Sequence, residues 1–525
     1  MPTHAVQRAH TTQRPGKPAL TMVAALLGLF IALLDVTVVT VALPTMGTDL
    51  DASFSDLEWV ANAYMLALAV FIVTAGRLGD LYGQRRIYTI GVTVFLAGSL
   101  ICGGAGKYAF FGLSHITTLH AGRVVQGIGG AVIMPLTLAI IYSSFEGRQR
   151  KLGIMLWGAV GGLATALGPL IGGVLVDHAG WEWIFLVNLP IGAVVIAAAT
   201  GIREPGRTPA AGRASLDVAG LLTVSGALFC LNLALINGHS WGWTSGREAA
   251  LFTGAVALLL LFVAVEARSS APIMNLSWFR RPSFGGSVCA GFLLGAGMFS
   301  VMFYLSIYLQ NGLGMSALET GVRLLPLTLM LILGAPLGGR LAAKLGVRAA
   351  MAVAFGLMAV GIALFALVDP AGDAGSWTRL LPGLLITGLT LGILMPLSSE
   401  LTVAAAPQDQ IGVAASAGTM FRQVGNSVGV AIMGVLMSTQ ADDAADEIKR
   451  QAADGALSPE RIAAVQQRAV TEGLQHGAWF AAAVTLAAVA VVLLFVRNLP
   501  HTAEPKPAPV GAPLDATPVA DAGRP

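Results

Sequence analysis

The sequence predicts an all-α membrane protein: two six-helix pseudo-repeat bundles plus two extra central transmembrane helices, fourteen spans in all. Three observations predict it. Of 525 residues, 55% are hydrophobic and only 11% charged, against about a quarter charged in ordinary soluble proteins. The apolar residues fall in blocks of about 20, the length that crosses about 30 Å of hydrocarbon. A short polar signature between two blocks recurs later in the chain. Together these exclude a large soluble catalytic domain. The net charge of +3 is too small to point to nucleic acid. Cys102, Cys230 and Cys289 lie inside apolar blocks, as small core residues rather than disulfide partners or metal ligands.

In chain order, spans are expected near 20–43, 58–78, 86–106, 113–142, 151–176 and 182–201 for the first bundle. The two central helices fall near 216–236 and 248–266, and the second bundle near 284–309, 319–341, 348–368, 380–403, 411–438 and 476–497. Block one follows Arg8, Arg14 and Lys17 as the core of a signal peptide would. Its apolar stretch is too long for one and no small-residue cleavage site follows, so it is expected to remain as a span. The layout is then an N-terminal segment, 1–19; a first bundle, 20–201; a linker with the central helices, 202–283; a second bundle, 284–497; and a tail, 498–525. Within the second bundle, 439–475 is expected as an extracytoplasmic loop in which Ser458 and Pro459 start a short surface helix. The Pro- and Ala-rich tail has no apolar periodicity and is expected to be disordered.

Orientation follows from Lys and Arg, which are retained on the cytoplasmic side. With the N-terminus inside, 21 of the 31 basic residues fall in inner segments and seven in outer ones, while Arg123, Arg323 and Arg422 lie within spans. Both termini are therefore expected in the cytoplasm, which requires an even number of crossings.

The recurring signature is GRLGDLYGQRR at 76–86 and GRLAAKLGVR at 339–348, so that Gly76, Arg77, Leu78 and Gly83 align with Gly339, Arg340, Leu341 and Gly346. Copies on the same membrane side imply parallel repeats, an arrangement that places a substrate site between the halves near the midplane. The second copy has Ala343 where the first has Asp80.

The loop at 76–86 resembles the signature after span two of the major facilitator superfamily, and fourteen spans resemble its drug–proton antiporter branch of EmrB/QacA type. LLDVTVVTVALP at 33–44, AGRVVQGIGGA at 121–131 and GPLIGG at 168–173 are similar to that branch's motifs in spans one, four and five. The resemblance implies a proton-coupled exporter of lipophilic drugs or antibiotics, working in the bacterial cytoplasmic membrane. Its partners would be a small lipophilic substrate, protons and the bilayer, with no cofactor, no metal and no nucleic acid, and with a monomer sufficient. It implies a gating loop of Gly76, Arg77, Asp80, Gly83, Arg85 and Arg86, and an antiporter motif of Gly168, Pro169, Gly172 and Gly173.

Asp35 is the sharpest feature of the residues themselves. A carboxylate in mid-membrane costs at least about 2.5–3.5 kcal/mol and persists mainly where it faces a cavity or a partner. An acid there can load and release protons. Arg123 enters span four from the same side at a similar depth, and a buried guanidinium needs a partner. The pair is expected to couple protonation to the exchange of open sides, by competition between proton and substrate at Asp35; the alternative is a fixed structural bridge. Tyr64, Gln126, Met134, Trp157, Arg422, Gln423 and Asn426 are candidate cavity-lining residues, with plain packing as the alternative. The glycines Gly158, Gly162, Gly168, Gly172 and Gly173 give span five a stripe without side chains, and Pro169 removes a backbone donor, so that helix can pack closely and bend.

The GxxxxGK[ST] nucleotide loop is missing, because Gly106-Lys107 is followed by Tyr108 and Gly16-Lys17 by Pro18. Without HExxH or GxSxG the chain is not expected to be an enzyme. A proton falling through about 150 mV supplies about 3.5 kcal/mol, enough for a several-hundred-fold gradient of a neutral solute. Besides multidrug efflux, two readings stay open: dedicated export of one endogenous metabolite or antibiotic, and a non-transporting membrane sensor.

Overall fold

The computed structural model describes residues 17–108, 112–202, 217–269, 272–368, 374–404, 406, 410–453 and 458–497. The expected tail and most of the segments 1–19 and 203–216 lie outside the described residues. Those described form helices and short connections, with no strand among them.

The first half comprises α1 (Pro18–Asp49), α2 (Phe54–Tyr82), α3 (Gln84–Gly104), α4 (His115–Ser144), α5 (Gly147–Ala179), α6 (Trp183–Leu186) and α7 (Asn188–Ala199). Next come α8 (Val218–Trp241) and α9 (Gly246–Arg268). The second half comprises α10 (Pro282–Leu294), a π-helical turn (Gly295–Phe299), α11 (Ser300–Ile307), α12 (Ala317–Leu345), α13 (Val347–Ala363), α14 (Leu381–Ala404), α15 (Ile411–Ala453) and α16 (Pro459–Phe495).

Local chemistry repeats between the halves. Ser53 and Asp56 form a capping box at the start of α2, and Ser316 and Glu319 form one at the start of α12, so that backbone donors of the first turn are satisfied in both. At the other ends of these helices, Gly83 (φ 99°) and Gly346 (φ 82°) make the reversal into α3 and α13. Both sit in the left-handed region that only glycine adopts without strain. Each of these correspondences has the 263-residue offset of the sequence signature.

Twelve helices among the described residues are long and apolar enough to cross a membrane. Within α5, Gly147–Thr165 and Leu170–Ala179 meet at a 45° bend and make a thirteenth candidate if they are one span. The break falls just before Pro169, which has no N–H for the preceding turn. Trp183–Ala199 is a shorter apolar helix, interrupted by a turn at Val187. By length and composition alone the expected fourteen is therefore reached only as far as twelve among the described residues, or thirteen with the bent α5 as one span.

The segment expected as a loop with a short surface helix has a different form. α15 runs for 43 residues, about 65 Å at the helical rise and twice the hydrocarbon thickness. Ser458 does cap a helix, accepting from the Arg461 amide at 3.3 Å, with Pro459 at its first position. That helix is α16, which continues unbroken to Phe495, because the Ala, Gln, Glu and Arg residues joining loop to span are themselves good helix formers.

The core is divided as the repeat requires, with one large apolar cluster centred on α1–α4 and another on α10–α14 and α16. The central helix α8 lies along the seam. Its Ser225 hydroxyl donates to the Val70 carbonyl of α2 at 2.9 Å, and its Asn232 accepts from Ser427 of α15 at 3.0 Å. By contrast α9 is peripheral and presents Val256, Leu259, Leu260 and Leu261 outward, an apolar face suited to lipid.

Candidate functional site: a buried charge network and a latch between the halves

Asp35 of α1 is completely buried, and four other side chains converge on the same spot. Arg123 and Gln126 stand one turn apart on α4, Ser99 comes from α3 and Asn188 from the first position of α7. Nη1 of Arg123 donates to Asp35 Oδ2 and, at 2.8 Å, to Gln126 Oε1. The Arg123 Nε donates to the Val60 carbonyl at 2.9 Å. Gln126 Nε2 donates to Asp35 Oδ1 at 2.6 Å and to the Ser99 hydroxyl at 2.8 Å, and Asn188 Nδ2 reaches the same two acceptors at 3.3 and 3.4 Å. The guanidinium carbon lies 4.5 Å from the centre of the Tyr64 ring, a cation–π contact, and Tyr64 itself donates to the Ala32 carbonyl at 3.2 Å. α3 and α4 meet backbone to backbone here: a Cβ on Gly98 would lie 2.5 Å from the Gln126 amide, and one on Gly129 would lie 2.4 Å from that of Phe95.

Both charges are thus desolvated, paired and hydrogen-bonded, the condition under which a buried ion pair can persist. The expectation of an Asp35 that borders a cavity and is contested there by proton and substrate is not met in this conformation. The carboxylate faces neither lipid nor hollow, because α4 and α7 fill the space around it. Ser99 and Asn188 are participants that the sequence analysis did not single out. Their signal was available, since both are uncharged polar residues inside apolar blocks, but nothing in the sequence paired them with Asp35.

A second arrangement joins the halves. Asp80, near the C-terminal end of α2, accepts from the backbone amides of Gly412 and Val413, both at 2.9 Å. These are first-turn donors of α15 that have no partner within the helix, and a carboxylate there also opposes the positive end of the helix dipole. Asp80 thus caps the N-terminus of a helix that belongs to the opposite half. Gly76 makes the approach possible: a Cβ there would lie 2.1 Å from the Ser416 hydroxyl and 2.5 Å from the Gly412 carbonyl oxygen. Arg77 is buried and its Nε has no partner among the described residues, Arg85 is half-buried and Arg86 exposed.

The glycines of α5 serve two neighbours. A Cβ on Gly168 would lie 1.9 Å from the Thr37 hydroxyl of α1, and one on Gly172 would meet Val38 at 3.0 Å. Gly158 and Gly162 face Pro396 of α14 and Leu331 of α12 in the second half, while Gly173 has no neighbour within 4 Å. The Pro169 side chain lies outside the described residues. Among the other candidates, Trp157 is buried with its ring nitrogen donating to Thr137 at 2.9 Å, and Met134 packs on the same core. Tyr64, Gln126 and Trp157 therefore stand in packed interior. Gln423 donates to the Met65 sulfur across the seam at 3.5 Å, and Asn426 keeps a buried Oδ1 without a partner among the described residues. Arg422 borders a small polar chamber. His115 and His120 tie helix ends, to the Ala105 carbonyl at 2.6 Å and the Asp56 carbonyl at 2.8 Å.

Two helical repeats, latched to each other at one end and holding a buried charge network in one bundle, define a helical membrane protein built of two related halves. A family model described as Major Facilitator Superfamily matches residues 25–430, and the chain belongs to that superfamily. It is 34% identical over 454 residues to the tetracenomycin C resistance and export protein of Streptomyces glaucescens, covering 86% of this chain and 82% of that protein. It is 36% identical over 419 residues to the methylenomycin A resistance protein of Bacillus subtilis, covering 79% and 86%. Among solved structures, the proton:xylose symporter XylE superposes with a TM-score of 0.60 at 13% identity, over 91% of this chain and 96% of that one; at this identity the likeness concerns the fold alone.

Proposed function

We propose that the chain is a proton-coupled antiporter that exports lipophilic drugs or antibiotics across the bacterial cytoplasmic membrane. Relatives named for antibiotic resistance and export support the cargo class. The observation that carries the coupling is the Asp35–Arg123 pair, a protonatable carboxylate held by side chains of α4 and α7, with Ser99 of α3 bonded behind Gln126. Proton uptake by Asp35 removes the anion that holds Arg123, so that α1, α4 and α7 can repack. The Asp80 latch fixes the inner side of the seam in the resting arrangement. In this scheme the proton acts by dissolving a paired charge, not by competing directly with the substrate.

The layout we assign is fourteen spans, counting bent α5 as one and α6–α7 as another, with both termini in the cytoplasm. This satisfies the parity that the basic segments demand. Dedicated export of a single antibiotic is the second reading, favoured by relatives named for one compound each.

Dye efflux in everted vesicles tests the coupling: transport should stop when the pH gradient and potential are collapsed together. Undiminished accumulation against a gradient after that collapse would overturn it. Competition between chemically unrelated dyes and antibiotics separates the two cargo readings, since a dedicated exporter ignores most of them.

A further inference from the structure

Arg422 is an intramembrane guanidinium that the mechanism above leaves unused. It lies eleven residues into α15, about 16 Å along the helix from its inner end and deep in the molecule. Among the described residues no carboxylate faces it, and it has neither a hydrogen bond nor an ion pair. A cation held inside a membrane protein without a counter-charge is unfavourable unless another partner supplies the charge.

The place it borders has the matching chemistry. A small chamber, with room for about one water molecule in this conformation, lies between the halves, with Leu138 of α4 on one side and α10, α14 and α15 on the other. Not all its hydroxyls are free. The Ser287 and Thr402 hydroxyls lie 2.8 Å from each other and within reach of the Phe284 and Ser398 carbonyls, so their two hydrogens are shared among these three contacts. The side-chain hydroxyls of Ser398 and Ser399 line the same chamber and, among the described residues, make no hydrogen bond. The free groups are therefore a guanidinium and two hydroxyl donors. The lining continues to Ala415, two residues beyond Val413, so the chamber sits next to the Asp80 latch.

We infer that Arg422, with Ser398 and Ser399, recognises an ionised acidic group, a carboxylate or phenolate, on the exported molecule. This rests on the exporter reading and narrows its cargo to lipophilic acids. The guanidinium fork bonds a carboxylate through two N–H groups, which Lys reproduces only in charge.

The test uses the full chain in proteoliposomes with an imposed pH gradient. The probes are 9-anthracenecarboxylate, its neutral methyl ester and the cation ethidium, with binding of each to the detergent-solubilised chain measured separately by quenching of tryptophan fluorescence. The native chain should bind and export the acid at least tenfold better than the ester. Arg422→Gln should remove that preference, a loss of about 1.4 kcal/mol, while leaving ester binding unchanged, and Arg422→Lys should restore part of it. An unchanged acid-to-ester ratio in Arg422→Gln overturns the inference. So does an equal loss of both probes, which marks a structural role, or new entry of ethidium with the ratio intact, which marks a mere barrier to cations. A native chain that neither binds nor exports the acid overturns it as well. Arginine-dependent binding of the acid without transport of any probe supports the anion site and refutes the exporter reading instead.

Discussion

Replacing Asp35 by Asn changes one atom and removes the negative charge that Arg123 bonds. The carboxylate accepts from Arg123 Nη1, from Gln126 Nε2 at 2.6 Å and from Asn188 Nδ2 at 3.3 Å, and all three are donors. An amide has only one acceptor oxygen, so in either orientation its NH2 group faces another donor. Leaving a buried charge without its partner costs about 3–5 kcal/mol, about two to three and a half orders of magnitude in the equilibrium between this packing and its competitors. Asp35→Asn should therefore melt well below the native chain in detergent. Asp35→Asn/Arg123→Gln, which removes both charges, should recover most of the lost stability because no ion is left unpaired. Neither variant should move protons. The decisive assay is a pH-sensitive dye trapped in proteoliposomes, read while a substrate gradient drives exchange. Native-rate proton movement in the stable double variant would refute Asp35 as the coupling site. An unchanged melting temperature for Asp35→Asn would refute the claim that the pair is desolvated.

Three further outcomes follow from the geometry. Asp80→Asn keeps one of the two latch bonds but loses its charge at the α15 terminus, about 1 kcal/mol or about fivefold towards the open inner side; labelling of Ser416→Cys by an impermeant maleimide from the inside, in a background without the native cysteines, should accelerate, and an unchanged rate would show that the latch is not a gate. Gly168→Val drives a side chain into Thr37 at a cost of about 1–3 kcal/mol and should lower efflux at least about tenfold, whereas Gly173→Ala, with nothing within 4 Å, should be silent. Asp56, outside the spans, is held below its ordinary value of 3.8, first by the Ser53 hydroxyl and then by the Ser53 amide. A lowered carboxyl contributes stability above about pH 4 that is lost as pH falls through its folded value. The thermal stability of Asp56→Asn should therefore lie below native at pH 6, and the gap should narrow below pH 4; a pH-independent gap would refute the assignment.

Sequence alone determined the all-helical membrane fold, the internal repeat and the identity of the ionised pair. Each follows from a local rule: block length against bilayer thickness, a polar signature that recurs at a fixed offset, and the expense of charge in hydrocarbon. Asp35 and Arg123 could be matched because helical rise places them at similar depth. Depth is a coordinate along one axis. It does not say which way a side chain turns about its helix or what fills the space beside it, so Ser99 and Asn188 stayed unassigned, and a carboxylate expected at a cavity proved to be enclosed.

The tertiary structure alone decided how one half meets the other. That Asp80 caps a helix 332 residues later in the chain, that α8 bridges α2 and α15, that the glycines of α5 divide between two neighbours and that Arg422 is left facing hydroxyls all depend on packing between segments with no local sequence relation. Apolar periodicity specifies that a helix must be buried but not against which partner, and in lipid many partners are equally apolar. Close backbone approach, capped helix ends and satisfied charges select among them, and these are properties of the assembled bundle.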